Sequence, residues 1–148
     1  MDVKQSLISS VEEVLDKMAF MYFEDLEDTP PDDSEFDFIT QVTFEGMIRG
    51  TLNIMMKKTV AHEVTYNLLG IREDDDLFEG TQIDALKEFT NLVMGRTMTI
   101  LNPHGRFDMS VPSIVNSFKP VEPGETELIV DGAMEEEPMR IRMNYIET

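Results

Sequence analysis

Residues 81–101 set the tightest condition on any fold for this chain: they read as one long helix with two opposed faces. Ile83, Leu86, Val93, Ile100 and Leu101, with Thr90 and Thr97 between them, recur at helical spacing and predict the side that packs on a core. Asp84, Glu88, Asn91 and Gly95 recur at i, i+4, i+7 and i+11 and form a second stripe on the other side. A carboxylate and a carboxamide one turn apart, beside a residue with no side chain, make a surface that another molecule can approach closely. That combination predicts a site.

The segments around this helix predict its support. Leu7, Ile8, Val11, Val14, Leu15, Met18 and Tyr22 form a helical stripe over residues 4–22, with Asp2 and Gln5 placed for a capping box. Residues 25–35, with Pro30-Pro31, read as an acidic loop. Phe36, Phe38, Val42 and Phe44 alternate, Glu45-Gly46 turns, and Ile48, Leu52, Ile54 and Met56 alternate again, which predicts a β-hairpin. Val60, Ala61, Val64 and Leu68 give a short helix closed by Gly70, and residues 74–80 a second acidic loop. The long helix stops at Asn102-Pro103-His104-Gly105. A strand then covers 107–111, Pro112 opens a short helix or an irregular crossing, and strands over 126–134 and 139–146 flank a turn at 135–138. This order predicts one α+β domain over residues 1–148, made of two related halves. In the first helix Ser9, Glu13 and Asp16 echo the spacing of Asp84, Glu88 and Asn91, with Asp where the second half has Asn.

At 148 residues the chain is long enough to bury about two thirds of its unfolded surface without staples. It has no cysteine, so disulfides and thiolate metal sites are excluded. Its start lacks the basic region and apolar run of a signal peptide, and no apolar stretch approaches the roughly twenty residues of a membrane span, so a soluble, cytoplasmic protein is expected. The formal charge of −18, with only 12 scattered basic residues, argues against nucleic acid and against an anionic membrane as partners. Nothing resembles a phosphate cradle, so any phosphate handled here is neutralised mainly by groups the partner brings.

Asp84, Glu88 and Asn91, followed after Met109-Ser110-Val111 by Pro112-Ser113-Ile114-Val115, resemble the signature of the CheX/CheC/FliY chemotaxis phosphatases. That signature runs Asp or Ser, three residues, Glu, two residues, Asn, with a proline roughly twenty residues on. Phe44-Glu45-Gly46-Met47-Ile48-Arg49-Gly50-Thr51-Leu52 is also similar to CheX-like sequences, so the resemblance spans most of the chain. It implies a CheC-like fold, with a long helix packed on an antiparallel sheet in each half, and an enzyme that removes phosphate from CheY-like response-regulator receiver domains. Since the first-half copy has Asp16 in place of Asn, the chain resembles the single-site kind. The resemblance also allows a homodimer, which sedimentation would separate from a monomer.

A receiver carries its phosphoryl group on an aspartate beside Mg²⁺ and a lysine, so the metal is expected to arrive with the partner and no cofactor is expected in this chain. What remains to be supplied is a group that holds water in line with the phosphorus. A carboxamide donates and accepts hydrogen bonds and carries no charge, which assigns Asn91 to that task. A carboxylate is repelled by a phosphoryl group but gains a charge-assisted hydrogen bond to an ammonium, which assigns Glu88 to the partner's lysine, the role the resemblance also implies. Asp84, Lys87, Gly95 and Pro112 are expected to contact the partner, with Lys87 and Arg96 softening the acidity of the face.

Plainer readings compete. Asp84 follows Thr81 by three residues and suits the far half of a capping box, a reading that ranks ahead of a direct catalytic one. Pro112 suits a turn-shaping role. His62 and His104 have no second ligand at useful spacing, and Asp74-Asp75-Asp76 lacks the glycine and terminal glutamate of a calcium loop. The methionines read mostly as core filler, with Met94 and Met98 bordering an adaptable docking face. The rival function is an adaptor that binds receivers without hydrolysis, and a weaker third is a structural subunit of a flagellar or signalling assembly.

Overall fold

The computed structural model describes residues 2–19, 24–25, 32–134 and 137–148. Helix α1 (Val3–Val14) begins at Asp2, whose carboxylate accepts from the Gln5 amide at 2.7 Å, as the capping pattern predicts. It continues as a π-helical turn, Leu15–Ala19; the predicted end at Tyr22 lies outside the described residues. A short strand β1 (Glu24–Asp25) follows, then a 3₁₀ turn at Asp33–Glu35, where an unbroken loop was expected.

The first hairpin is β2 (Phe38–Glu45) and β3 (Ile48–Met56), in register from Phe38 opposite Met56 to Glu45 opposite Arg49. Helix α2 (Lys58–Leu69) ends at Gly70, which adopts the left-handed conformation (φ 71°). Helix α3 (Phe78–Leu101) leads to a broken edge strand, β4 (Asp108–Met109) and β5 (Ser113–Val115), both paired with β2. Pro112 thus precedes a strand rather than a helix or crossing. Having no N–H, it stands where the ladder is interrupted. The second hairpin is β6 (Thr126–Met134) and β7 (Glu137–Glu147).

The sheet order β1-β6-β7-β3-β2-β4 places the two hairpins side by side, with β3 and β7 antiparallel at the centre. Two related halves on one antiparallel sheet are therefore observed, and the class is α+β. Gly50 lies at the central seam, where a Cβ would come within 1.8 Å of the Asn144 carbonyl oxygen. Only glycine allows β3 and β7 that close. The core lies between the sheet and the helices, where Leu7, Val11, Leu52, Ile54, Leu86, Phe89, Val93, Ile141 and Met143 are all fully buried. The opposite side of β3 is buried as well, because Asn53 Oδ1 accepts from the Lys119 amide and Asn144 Nδ2 donates to the Lys119 carbonyl. Phe118 covers the Arg142 guanidinium at 3.9 Å.

Candidate functional site on helix α3

The outward arc of α3 is defined by what its other sides bury. Gln82, Ala85, Leu86, Phe89, Thr90, Val93, Met94, Thr97 and Met98 are buried. The buried arc is wider than a single stripe because α3 packs on α1, on α2 and on the sheet. Leu86, Val93, Thr90 and Thr97 are inside as expected. Ile83 is exposed and Ile100 and Leu101 are only half-buried, so the core stripe is rotated toward Phe89, which lies outside the predicted stripe. Met94 and Met98 are core residues and do not border a docking face.

Asp84 and Glu88 are exposed, and Lys87, Asn91 and Gly95 half-buried, with Asp84, Glu88, Asn91 and Gly95 following one another up the same side of the helix. The side chains of Asp84, Lys87, Glu88 and Asn91 make no hydrogen bond or ion pair with any other described residue. Asp84 does not cap the helix. The helix begins at Phe78, six residues earlier, with Leu77 at the cap and no side-chain cap bond, which overturns the capping-box reading. What is left for Asp84 is a position at the lower end of the exposed stripe.

Gly95 has nothing within 4 Å of where a Cβ would stand. Packing among the described residues therefore gives no reason for a residue that costs roughly 0.5–1 kcal/mol in a helix interior relative to alanine. Gly95→Ala should raise thermal stability by about that amount and weaken association with a partner that packs there. A variant that is stabilised and binds the partner unchanged would remove Gly95 from the site.

Two groups of contacts hold this arc in place. On the α1 side, the Ser10 hydroxyl donates to the Val93 carbonyl at 2.6 Å, and Arg96 Nε donates to Glu13 at 2.7 Å. On the sheet side, the hydroxyls of Thr40 in β2 and Thr90 lie 2.6 Å apart. Pro112 is half-buried at the start of β5, whose Ile114 is in register opposite Thr40, and β5 lies against α3. The fold thus brings the proline's strand beside the helix that carries Asn91.

Arg96 does not soften the face as expected, because its charge is committed to Glu13. The same pairing uses up the glutamate of the first-half echo. Glu13 is held below the ordinary glutamate range by hydrogen bonds from Arg96 and then Lys17, partly opposed by desolvation. Its contribution to stability is therefore complete above the ordinary range and is lost as pH falls through the depressed value. Glu13→Gln should flatten the acid side of a stability–pH profile followed by thermal unfolding. An unchanged acid slope would mean the bridge does not hold in solution.

The two histidines stand on other segments, in α2 and in the turn after α3. His62 Nδ1 lies 3.0 Å from Glu73 and its ring packs edge-on to Phe78, while His104 is exposed. Among the described residues, no group of three or more His, Cys, Asp or Glu is placed to hold a metal ion, and no helix is long and apolar enough to cross a membrane. Arg140, buried on the sheet's other side, pairs with Asp131 directly opposite it in the β6–β7 hairpin and with Asp33, 107 residues away, a pairing that no local spacing reveals. Asp33 there is partly desolvated, but hydrogen bonds from Arg140 and Arg142 outweigh this and hold its carboxyl below the usual range.

Comparison with known proteins places the chain in a family. The chain is similar in fold to the chemotaxis protein CheX from Vibrio vulnificus (TM-score 0.80, 21% identity, covering 99% of this chain and 97% of that one). It is also similar to a CheC-like superfamily protein from Shewanella sp. PV-4 (TM-score 0.78, 22% identity, 99% of each chain). A third likeness is to a chain of the CheX–CheY–BeF3–Mg complex from Borrelia burgdorferi (TM-score 0.77, 20% identity, 99% of each chain). No curated protein sequence matches. The model of the family described as chemotaxis phosphatase CheX matches residues 38–129, more than half of the chain and including every residue of the exposed α3 stripe. This chain belongs to the CheX family of chemotaxis phosphatases.

Proposed function

We propose that this chain is an aspartyl-phosphate phosphatase for a CheY-like receiver domain, working through the exposed arc of α3. One observation carries the reading: in a member of the CheX family, Glu88 and Asn91 stand one turn apart on a helix anchored on two sides, and neither has a partner among the described residues. Groups left unpaired on a rigid element are available to a second molecule without first breaking internal bonds. The similar fold from Borrelia burgdorferi occurs in a complex with CheY, BeF3 and Mg.

In this reading the receiver brings the phosphoryl group, the Mg²⁺ and a lysine. Glu88 accepts a hydrogen bond from that lysine and sets the register of the two proteins. Asn91 holds a water through its carboxamide, in line with the bond from phosphorus to the aspartate oxygen. The water oxygen bonds to phosphorus as that bond breaks, giving inorganic phosphate and the free aspartate carboxylate. Gly95 and Asp84 complete the contact along the helix, with Lys87 beside it and Pro112 on the neighbouring strand.

Turnover separates this from an adaptor. With the chain at a small fraction of the concentration of an acyl-phosphorylated receiver and with Mg²⁺ present, an enzyme releases many equivalents of phosphate per chain. An adaptor binds the receiver and leaves the release rate at its intrinsic value; that result would replace the phosphatase reading.

A further inference from the structure

We infer that the buried hydroxyl pair Thr40–Thr90 is a positioning element for Asn91; the inference rests on the phosphatase reading above. Thr40 is 1% exposed and Thr90 0%, so both hydroxyls lie inside an apolar core, where polar groups are costly unless bonded. Both are bonded. Thr90 Oγ1 donates to the Leu86 carbonyl at 2.8 Å, which leaves it as acceptor for Thr40 at 2.6 Å. The other acceptor open to Thr40, the Ile54 carbonyl, is at 3.4 Å, so the short chain runs from Thr40 through Thr90 to Leu86.

The placement of this pair matters more than its strength. Its neighbours on the inner side of α3, Leu86, Phe89 and Val93, are apolar and fully buried. Apolar contacts are non-directional and tolerate small rotations and slides of a helix over a sheet. A hydrogen bond of 2.6 Å between a helix and a strand does not. It fixes α3 about its own axis and along β2 at the residue immediately before Asn91. Ser10 and Arg96 then fix the helix to α1 at Val93 and at Arg96 itself, two and five residues after Asn91. Asn91 therefore lies between two directional ties to different elements. A carboxamide that must hold a water to within a fraction of an ångström needs such a frame, because a displacement of about 1 Å can cost on the order of a hundredfold in rate. For stability alone a valine pair of the same shape would serve as well or better.

The test is the double variant Thr40→Val/Thr90→Val, beside Thr40→Val alone and the conservative Thr40→Ser. The double variant is expected to melt at or above the wild-type temperature and to keep receiver KM within about twofold, while kcat falls about tenfold. Thr40→Val should show the same split and Thr40→Ser should restore most of the rate. The Asn91 side-chain amide, followed by ¹⁵N–¹H correlation spectra of the free protein, should give one sharp pair of signals in the wild type and broadened or doubled signals in the valine variants. Unchanged kcat, a loss confined to KM, or a loss that tracks falling stability would each overturn the inference. If the wild type releases no phosphate, the phosphatase reading fails. The amide signals then still decide whether the threonine pair holds Asn91 in one place, and unchanged signals in the valine variants overturn it.

Discussion

Asn91→Ala should leave receiver binding within about twofold while the catalysed release of phosphate falls roughly a hundredfold or more, about 2.7 kcal/mol of transition-state stabilisation. The two effects separate because Asn91 makes no hydrogen bond within the described chain, so its removal leaves no partner unsatisfied and creates no buried void. Alanine is the better helix former by a few tenths of a kcal/mol, so the folded state should be unchanged or slightly more stable. What is lost, in the proposed mechanism, is the group that both accepts from and donates to the attacking water. Full activity in Asn91→Ala, measured at saturating receiver, would remove the residue from the chemistry.

Glu88→Lys should abolish detectable receiver binding, a loss of at least roughly a hundredfold in affinity. Glu88 is exposed and has no partner among the described residues, so the substitution costs the fold little. In the proposed complex it replaces an attraction for the partner's lysine by a repulsion between two ammonium groups, and Lys87 beside it adds a second positive charge. Binding, rather than the rate at saturation, is the quantity that moves, which distinguishes this residue from Asn91. Calorimetric titration of the variant with a receiver, run beside its thermal melt, checks both halves; unchanged affinity in a folded variant would sink the anchoring role.

How much of this was legible before folding follows from how far apart the partners are. The hairpin of β2 and β3, the helix ended by Gly70, the Asp2 cap and the exposed stripe of α3 are local patterns of period two or near 3.6, and each was readable. The start of α3 was missed by three residues because its cap is Leu77, which offers no side-chain oxygen to recognise. Phe89 falls outside the predicted stripe because a helix packed on α1, α2 and the sheet buries more than the stripe one neighbour would predict. The break between β4 and β5 follows from a proline that cannot donate to the ladder. The ties that hold Asn91 join residues 50 and 83 positions apart, Thr40 with Thr90, Ser10 with Val93 and Glu13 with Arg96. No local spacing can reveal such pairs. Glu13 illustrates the point: its spacing marked it as an echo of the site, and the fold turns it into a support for that site.

The central claim, that the outer arc of α3 hydrolyses a receiver's acyl phosphate, is met most directly by one measurement. Phosphate release from an acyl-phosphorylated receiver with Mg²⁺ is followed alone, with the wild-type chain, and with Asn91→Ala. Acceleration by the wild type that is lost in the variant, while both bind the receiver, is the predicted result. Binding by the wild type with no acceleration across several receivers would contradict the claim and leave the chain as an adaptor.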